Sequence, residues 1–148
     1  FWHHHMPFNA RMSALQAAVG CAQLERLPEL VEKRRINAQS YDHHLGQIEG
    51  IQIPSKSIHG EHVYWMYTIH CEKADQLRQG LAETGIETRP VFSPLHVQPI
   101  LQEASKPVQG PFPNSEWASK TGLNLPSGSG LSSDDVHRIC DRISSILN

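Results

Sequence analysis

Cysteine is scarce in this chain: there are three in 148 residues, Cys21, Cys71 and Cys140, and no Cys-x-x-Cys. An odd, widely spaced set argues against a disulfide framework and for a reducing compartment. All three are expected to act as small structural thiols, Cys21 and Cys140 on helices and Cys71 at a strand end. An excess of charge of one sign is also missing. Thirteen basic against fifteen acidic residues leave a net charge of −2, which gives no electrostatic case for nucleic acid. No apolar run approaches the roughly 20 residues of a membrane span. Phe1-Trp2-His3-His4-His5 lacks the basic and apolar regions of a secretory signal, so the expected location is cytoplasmic. No Ser/His/Asp elbow and no phosphate-cradling glycine loop occurs.

Histidine, by contrast, is plentiful, with ten in the chain. His3-His4-His5, His43-His44 and His59-x-x-His62 form clusters, but none has the spacing that sets ligands on one rigid face, so no native metal site is expected. His3–His5 reads either as native sequence or as the remnant of a purification tag. The chain opens on Phe rather than Met, which suggests a fragment or a processed product.

Patterning gives an order of elements. Residues 1–12 read as a loop or arm. Ser13-Ala-Leu-Gln16 fits a capping box opening a helix whose stripe, Leu15, Ala18, Val19, Ala22 and Leu27, is rich in small residues. Pro28 is expected to break the register and start a second helix, Glu29 to about Leu45. Leu30, Val31, Ala38, Tyr41 and Leu45 lie near one face of it. Arg34 and Arg35 fall on its wet side, and Gly46 is its stop. Three strands are expected, at 62–71, 86–92 and 121–125, from their β-branched and aromatic content. Along the first of them Tyr64, Trp65 and Tyr67 read as core and cover rather than as a base-stacking platform. Helices are expected over 73–84, near 95–104 with Pro99 interrupting, over 114–120, and after Ser132 or Ser133. The last carries Val136, Ile139, Cys140, Ile143, Ile146 and Leu147 as its buried stripe. Strands alternating with helices imply an α/β (α+β) chain, a helical segment followed by one small three-stranded sheet covered by helices. A boundary is expected near residue 46: 1–46 as loop and helical linker toward a large domain, 47–148 as a small α+β domain.

Several landmarks occur in sequence order: Phe8-Asn9-Ala10-Arg11-Met12 with Leu15-Gln16-Ala17-Ala18; Gln23-Leu24-Glu25-Arg26-Leu27 with Arg34-Arg35; Gly85-Ile86-Glu87-Thr88-Arg89; Pro94-Leu95-His96-Val97-Gln98-Pro99; Phe112-Pro113-Asn114; and Leu125-Pro126 before Gly130-Leu131-Ser132. Each is weak alone. Together, over about residues 2–147, they resemble the later half of the DegT/DnrJ/StrS-type sugar aminotransferases, which depend on pyridoxal phosphate (PLP).

That resemblance implies the small C-terminal domain of the type I aminotransferase fold, in an enzyme active as a dimer. It implies transfer of an amino group from glutamate or glutamine to a keto group on a nucleotide-linked sugar. A lysine Schiff base with the cofactor supplies the chemistry there. By the same resemblance Asn9 and Arg11 reach the PLP phosphate of the partner subunit, and His96 and Arg89 meet the substrate. Read alone, Asn9 shapes a turn, Arg11 and Arg89 make ordinary ion pairs, and His96 ties down two prolines. Ala10 stands where the family usually has an aromatic. None of Lys33, Lys56, Lys73, Lys106 and Lys120 matches the Schiff-base context. The chain alone is therefore expected to hold no cofactor and no catalytic residue. The alternatives are a stand-alone dimerisation or sugar-binding module, or one half of a split enzyme.

Overall fold

The computed structural model describes residues 10–56, 58–103 and 110–148. It begins with a helix, α1, over Ala14–Leu45. The capping box forms as expected: Gln16 N–H donates to Ser13 Oγ at 3.3 Å, and Ser13 N–H donates to Gln16 Oε1 at 2.9 Å.

Pro28 does not break this helix, contrary to the expectation of two helices. An interior proline removes one backbone hydrogen bond and costs about 3 kcal/mol. Strong helix formers on either side and the packing of the later turns outweigh that cost. Around the proline, Glu29 accepts from Lys33 Nζ at 2.7 Å and from Arg26 at 3.4 Å. Gly46 caps the end; a Cβ there would lie 2.7 Å from the Asp42 carbonyl.

The two halves of α1 differ. Asn37, Ala38, Tyr41 and Leu45 are buried, at helical spacing, against α5 (Ser133–Leu147). In the first half, Leu15, Val19 and Leu24 are exposed. Cys21 is exposed as well, which corrects its expected structural role; Cys71 and Cys140 are buried. Cys21 lies on the first half of α1, where no residue is buried.

The sheet has three antiparallel strands in the order β1–β3–β2: β1 Tyr67–His70, β2 Arg89–Pro90 and β3 Gly122–Leu125. Ile69 pairs with Leu123, and Arg89 with Asn124. β1 is shorter than the expected 62–71. Tyr64 adopts φ +49, and the Tyr64 and Trp65 carbonyls accept from Arg34 instead of from a strand. Trp65 is accordingly 66% exposed, neither core nor cover. β2 is cut to two residues, with Pro90 lacking the N–H to extend a ladder. Asn124, in the central strand, compensates. Its side chain accepts from Thr68 Oγ1 at 2.6 Å and donates to the Pro90 carbonyl at 3.3 Å, so one amide ties both flanking strands.

Helix α2 (Ala74–Glu83) buries Ala74, Leu77 and Leu81 and ends before Gly85, whose φ of +76 is left-handed. A one-turn 3-10 segment, Leu95–Val97, precedes the short α3 (Pro99–Gln102). Helix α4 (Pro113–Thr121) runs directly into β3. Ser132 caps α5 through a second capping box with Asp135. These bonds and Arg138 hold the Asp135 carboxyl below its usual range. Val136, Ile139, Cys140 and Ile143 of α5 meet Tyr41, Tyr67, Leu77, Leu81 and Leu123 in one core. Tyr41 stacks on Tyr67 at 4.7 Å, and both hydroxyls are satisfied, Tyr41 by the Pro126 carbonyl and Tyr67 by Asp42 Oδ1. Burial raises both phenols and pushes the Cys140 thiol up to about 12. The last turns of α1 thus share the core of residues 67–147.

Candidate functional site: an arginine-lined cleft

Where β2 begins and β3 ends, the chain leaves a cleft of about 560 Å³. Its walls are Gly85–Arg89, the end of β3 and the residues after it (Asn124–Gly128), Trp65 and Met66, Arg34 from α1, Leu131 before α5, and Arg138 and Ile139 of α5. The local sequence explains this gap. Gly85 turns the chain out of α2, Pro90 stops β2 from extending, and Pro126-Ser127-Gly128 forces β3 to end before α5 begins.

Three guanidinium groups line the cleft. Arg34 is held most firmly. Its Nη1 donates to the carbonyls of Tyr64 at 3.1 Å, Trp65 at 2.9 Å and Ser127 at 3.0 Å. Ser127 Oγ also donates to the Trp65 carbonyl. The expected wet-side position of Arg34 and Arg35 is therefore corrected. Both are half-buried and clasp the loop before β1, Arg35 through Glu61 and the His62 carbonyl. Arg89, a candidate from the sequence, lies in the cleft wall, 74% exposed, with Glu87 Oε1 at 3.6 Å. Arg138 is 3.9 Å from Asp135, a long contact. Thr88, between Glu87 and Arg89, has a buried hydroxyl without a hydrogen-bond partner among the described residues.

The other candidates are elsewhere. His96 sits in the 3-10 segment, outside the cleft walls. Its Nε2 is 3.1 Å from Glu116 Oε1, its ring lies 4.7 Å from that of Phe112, and its carbonyl accepts from Gln102 Nε2. Arg11 is exposed, two residues before the α1 cap. Asn9 lies outside the described residues, as do His3–His5 and Lys106. Among the described candidates, Arg89 lines the cleft while His96 and Arg11 do not.

As for a cofactor, none of Lys33, Lys56, Lys73 and Lys120 lines the cleft, and Lys33 is held by Glu29. This cleft thus offers guanidinium donors suited to a phosphate but, among the described residues, no lysine for the Schiff-base end of PLP. No group of three or more His, Cys, Asp or Glu among them is placed to hold a metal ion. His44 meets His137 edge-on at 4.9 Å, with Asp141 3.5 Å from His137.

Sequence reasoning missed two features. Arg34 was visible as part of an Arg-Arg landmark but not as a clamp, because its partners are carbonyls up to 93 positions away. A second, smaller cleft is lined by His70, Trp117 and Thr121, with His70 stacked on Trp117 at 4.3 Å. No motif marks it.

The sequence matches the model of the DegT/DnrJ/EryC1/StrS aminotransferase family over residues 1–144. It is similar to GDP-perosamine synthase of Escherichia coli O157:H7, 35% identical over 146 residues, covering 97% of this chain and 38% of that protein. It is equally similar to the putative pyridoxal phosphate-dependent aminotransferase EpsN of Bacillus subtilis, 35% identical, covering 95% of this chain and 37% of EpsN. Among solved structures, S. venezuelae DesV in complex with a ketimine intermediate superposes with a TM-score of 0.88 at 28% identity, over 98% of this chain and 39% of DesV. The chain therefore spans less than two fifths of the length of these relatives. On this match, extending over nearly all its residues, the chain belongs to the DegT/DnrJ/EryC1/StrS aminotransferase family.

Proposed function

We propose that this chain is the C-terminal part of a PLP-dependent aminotransferase acting on a keto sugar carried by a nucleotide, with glutamate or glutamine as amino donor. The observation that carries the reading is the full-length match to sugar aminotransferases in both sequence and fold, over a little more than a third of each. When bound, PLP supplies the electron sink for amino transfer. The residues of this chain do subsidiary work. Arg89 offers a charged donor to an anionic part of the substrate, and His96 is held by Glu116 and Phe112 at the neighbouring loop. Asn9 and Arg11 contact the PLP phosphate of a partner subunit in a dimer. The reading assigns no catalytic residue to this part of the enzyme; among the described lysines, none lines the arginine cleft. The reading takes the protein as cytoplasmic, as expected for nucleotide-sugar chemistry; no helix of the described residues is long and apolar enough to cross a membrane.

The intact mass of the natural protein, with peptide coverage upstream of Phe1, tests this. The expected product is more than twice the length of this chain, with a lysine-bearing cofactor domain first. A product ending at or near Phe1 overturns the reading and leaves a stand-alone binding module or one half of a split enzyme.

A further inference from the structure

We propose that the cleft between Gly85–Arg89 and the Ser127–Gly128 turn is a binding site for a phosphate-class oxyanion, held by Arg89 and Arg138 with Arg34 behind them. Three arginines line this cleft against a single lining acid, Glu87. Clustered guanidinium groups suit a multiply charged oxyanion, because each presents planar forked donors. Neither Arg89 nor Arg138 has a close acidic partner: Arg89 lies 3.6 Å from an exposed Glu87, and Arg138 lies 3.9 Å from Asp135, whose carboxyl is already engaged by Ser132. Arg34 is bonded to carbonyls and to no carboxylate, so its charge remains.

A second, independent observation points the same way. Thr88 Oγ1 is the buried side-chain polar atom left without a partner among the described residues, and Thr88 lines this cleft. A buried unpaired hydroxyl is unfavourable, and native structures generally satisfy such groups. Thr88 is half-buried, in the strip Gly85–Arg89 that walls the cleft. The turn opposite carries Gly128, where a Cβ would meet nothing, so backbone can approach a ligand from that side.

The inference extends the role given to Arg89 above. Its test reads this chain by itself, so failure of the aminotransferase reading would leave it standing, and the reverse. The purified chain is titrated with inorganic pyrophosphate at constant ionic strength and followed by amide chemical shifts. Saturable shifts confined to residues 85–89 and 124–131 and to the surroundings of Arg34 and Arg138, with a Kd of about 1 mM or tighter, are expected. Arg89→Gln and Arg138→Gln are each expected to weaken binding about tenfold, the loss of one charge-assisted contact. Thr88→Val, which keeps the side-chain volume, is expected to weaken it less while leaving the remaining spectrum unchanged. Three results overturn the proposal: no saturable shift, equal shifts around Arg26, Arg78 and Arg142 on the helix surfaces, or unchanged affinity in the Arg89/Arg138 double variant. A parallel titration with glutarate separates phosphate from carboxylate. Equal affinity for the two would overturn the assignment to a phosphate-class anion.

Discussion

His70 Nδ1 lies 3.0 Å from Thr121 Oγ1, and Thr121 donates its own proton to the Trp117 carbonyl at 2.9 Å. A hydroxyl that already donates must accept, so the imidazole carries its proton on Nδ1. The ring is stacked on Trp117, and burial lowers its pKa. The imidazole is therefore neutral in the folded chain at pH 7. Folding stability should be flat above the ordinary histidine pKa of about 6.5 and fall as pH drops toward the lowered folded value, because the unfolded chain takes up the proton first. Chemical denaturation at a series of pH values checks this, comparing wild type with His70→Gln. A slope between neutral and mildly acidic pH that is the same in both chains would refute it. Thr121→Val should move the ring proton toward Nε2, read from imidazole nitrogen shifts.

The Arg34 clamp joins three segments that are far apart in sequence. Arg34→Ala should destabilise the chain by about 2–3 kcal/mol, since one charged donor serves three carbonyls. Arg34→Lys should recover only part of this, because an ammonium lacks the planar fork. Hydrogen exchange should accelerate at residues 64–66 and 127–128 in both variants. An Arg34→Ala chain as stable as wild type would show that the three carbonyls are equally well served by water.

Gly122, at the junction of α4 and β3, is required by close approach rather than by an unusual φ. A Cβ there would lie 2.4 Å from the Ala118 carbonyl and 2.4 Å from Val91 Cγ2. Gly122→Ala is thus expected to cost at least the roughly 1–3 kcal/mol of ordinary overpacking, since one obstacle is backbone. The control is Gly60→Ala, where a Cβ meets nothing. Melting temperatures of the two variants decide; equal values would mean that α4 shifts freely against the sheet.

The parts of this fold that the sequence expresses locally could be read from it. Both serine caps, the end of α2 before Gly85 and the α5 stripe are set by residues three to eight apart, within reach of a periodicity argument. The third strand was legible almost to the residue, but the lengths of β1 and β2 were not, because Arg34 and Pro90 decide them from outside the ladder. Pro28 misled for a related reason: its local cost is real, but the buried face at Asn37, Ala38, Tyr41 and Leu45, farther along on its C-terminal side, keeps the helix whole. Of the candidate site, Arg89 was readable from its motif. Its companions Arg34 and Arg138 were not, since only the closing of the sheet brings α1 and α5 to the same cleft.

The first half of α1 bears the final prediction. Leu15 is 77% and Val19 57% exposed, with the small Ala18 and Ala22 on the same helical face and also exposed. A helix at whose surface large apolar and small side chains meet can approach another closely, and apolar surface gathered this way seeks a cover. The second half of the same helix is already covered by α5, whereas no residue of the first half is buried among the described residues, so that half can take another copy of this chain. At micromolar concentration the purified chain should sediment as a concentration-dependent mixture heavier than a monomer. Val19→Glu should return it to a monomer without lowering its melting temperature, because Val19 contributes nothing to the core at residues 38–143. Self-association that survives Val19→Glu would move the interface elsewhere. A clean monomer in the wild type would show that this face takes no second copy at that concentration.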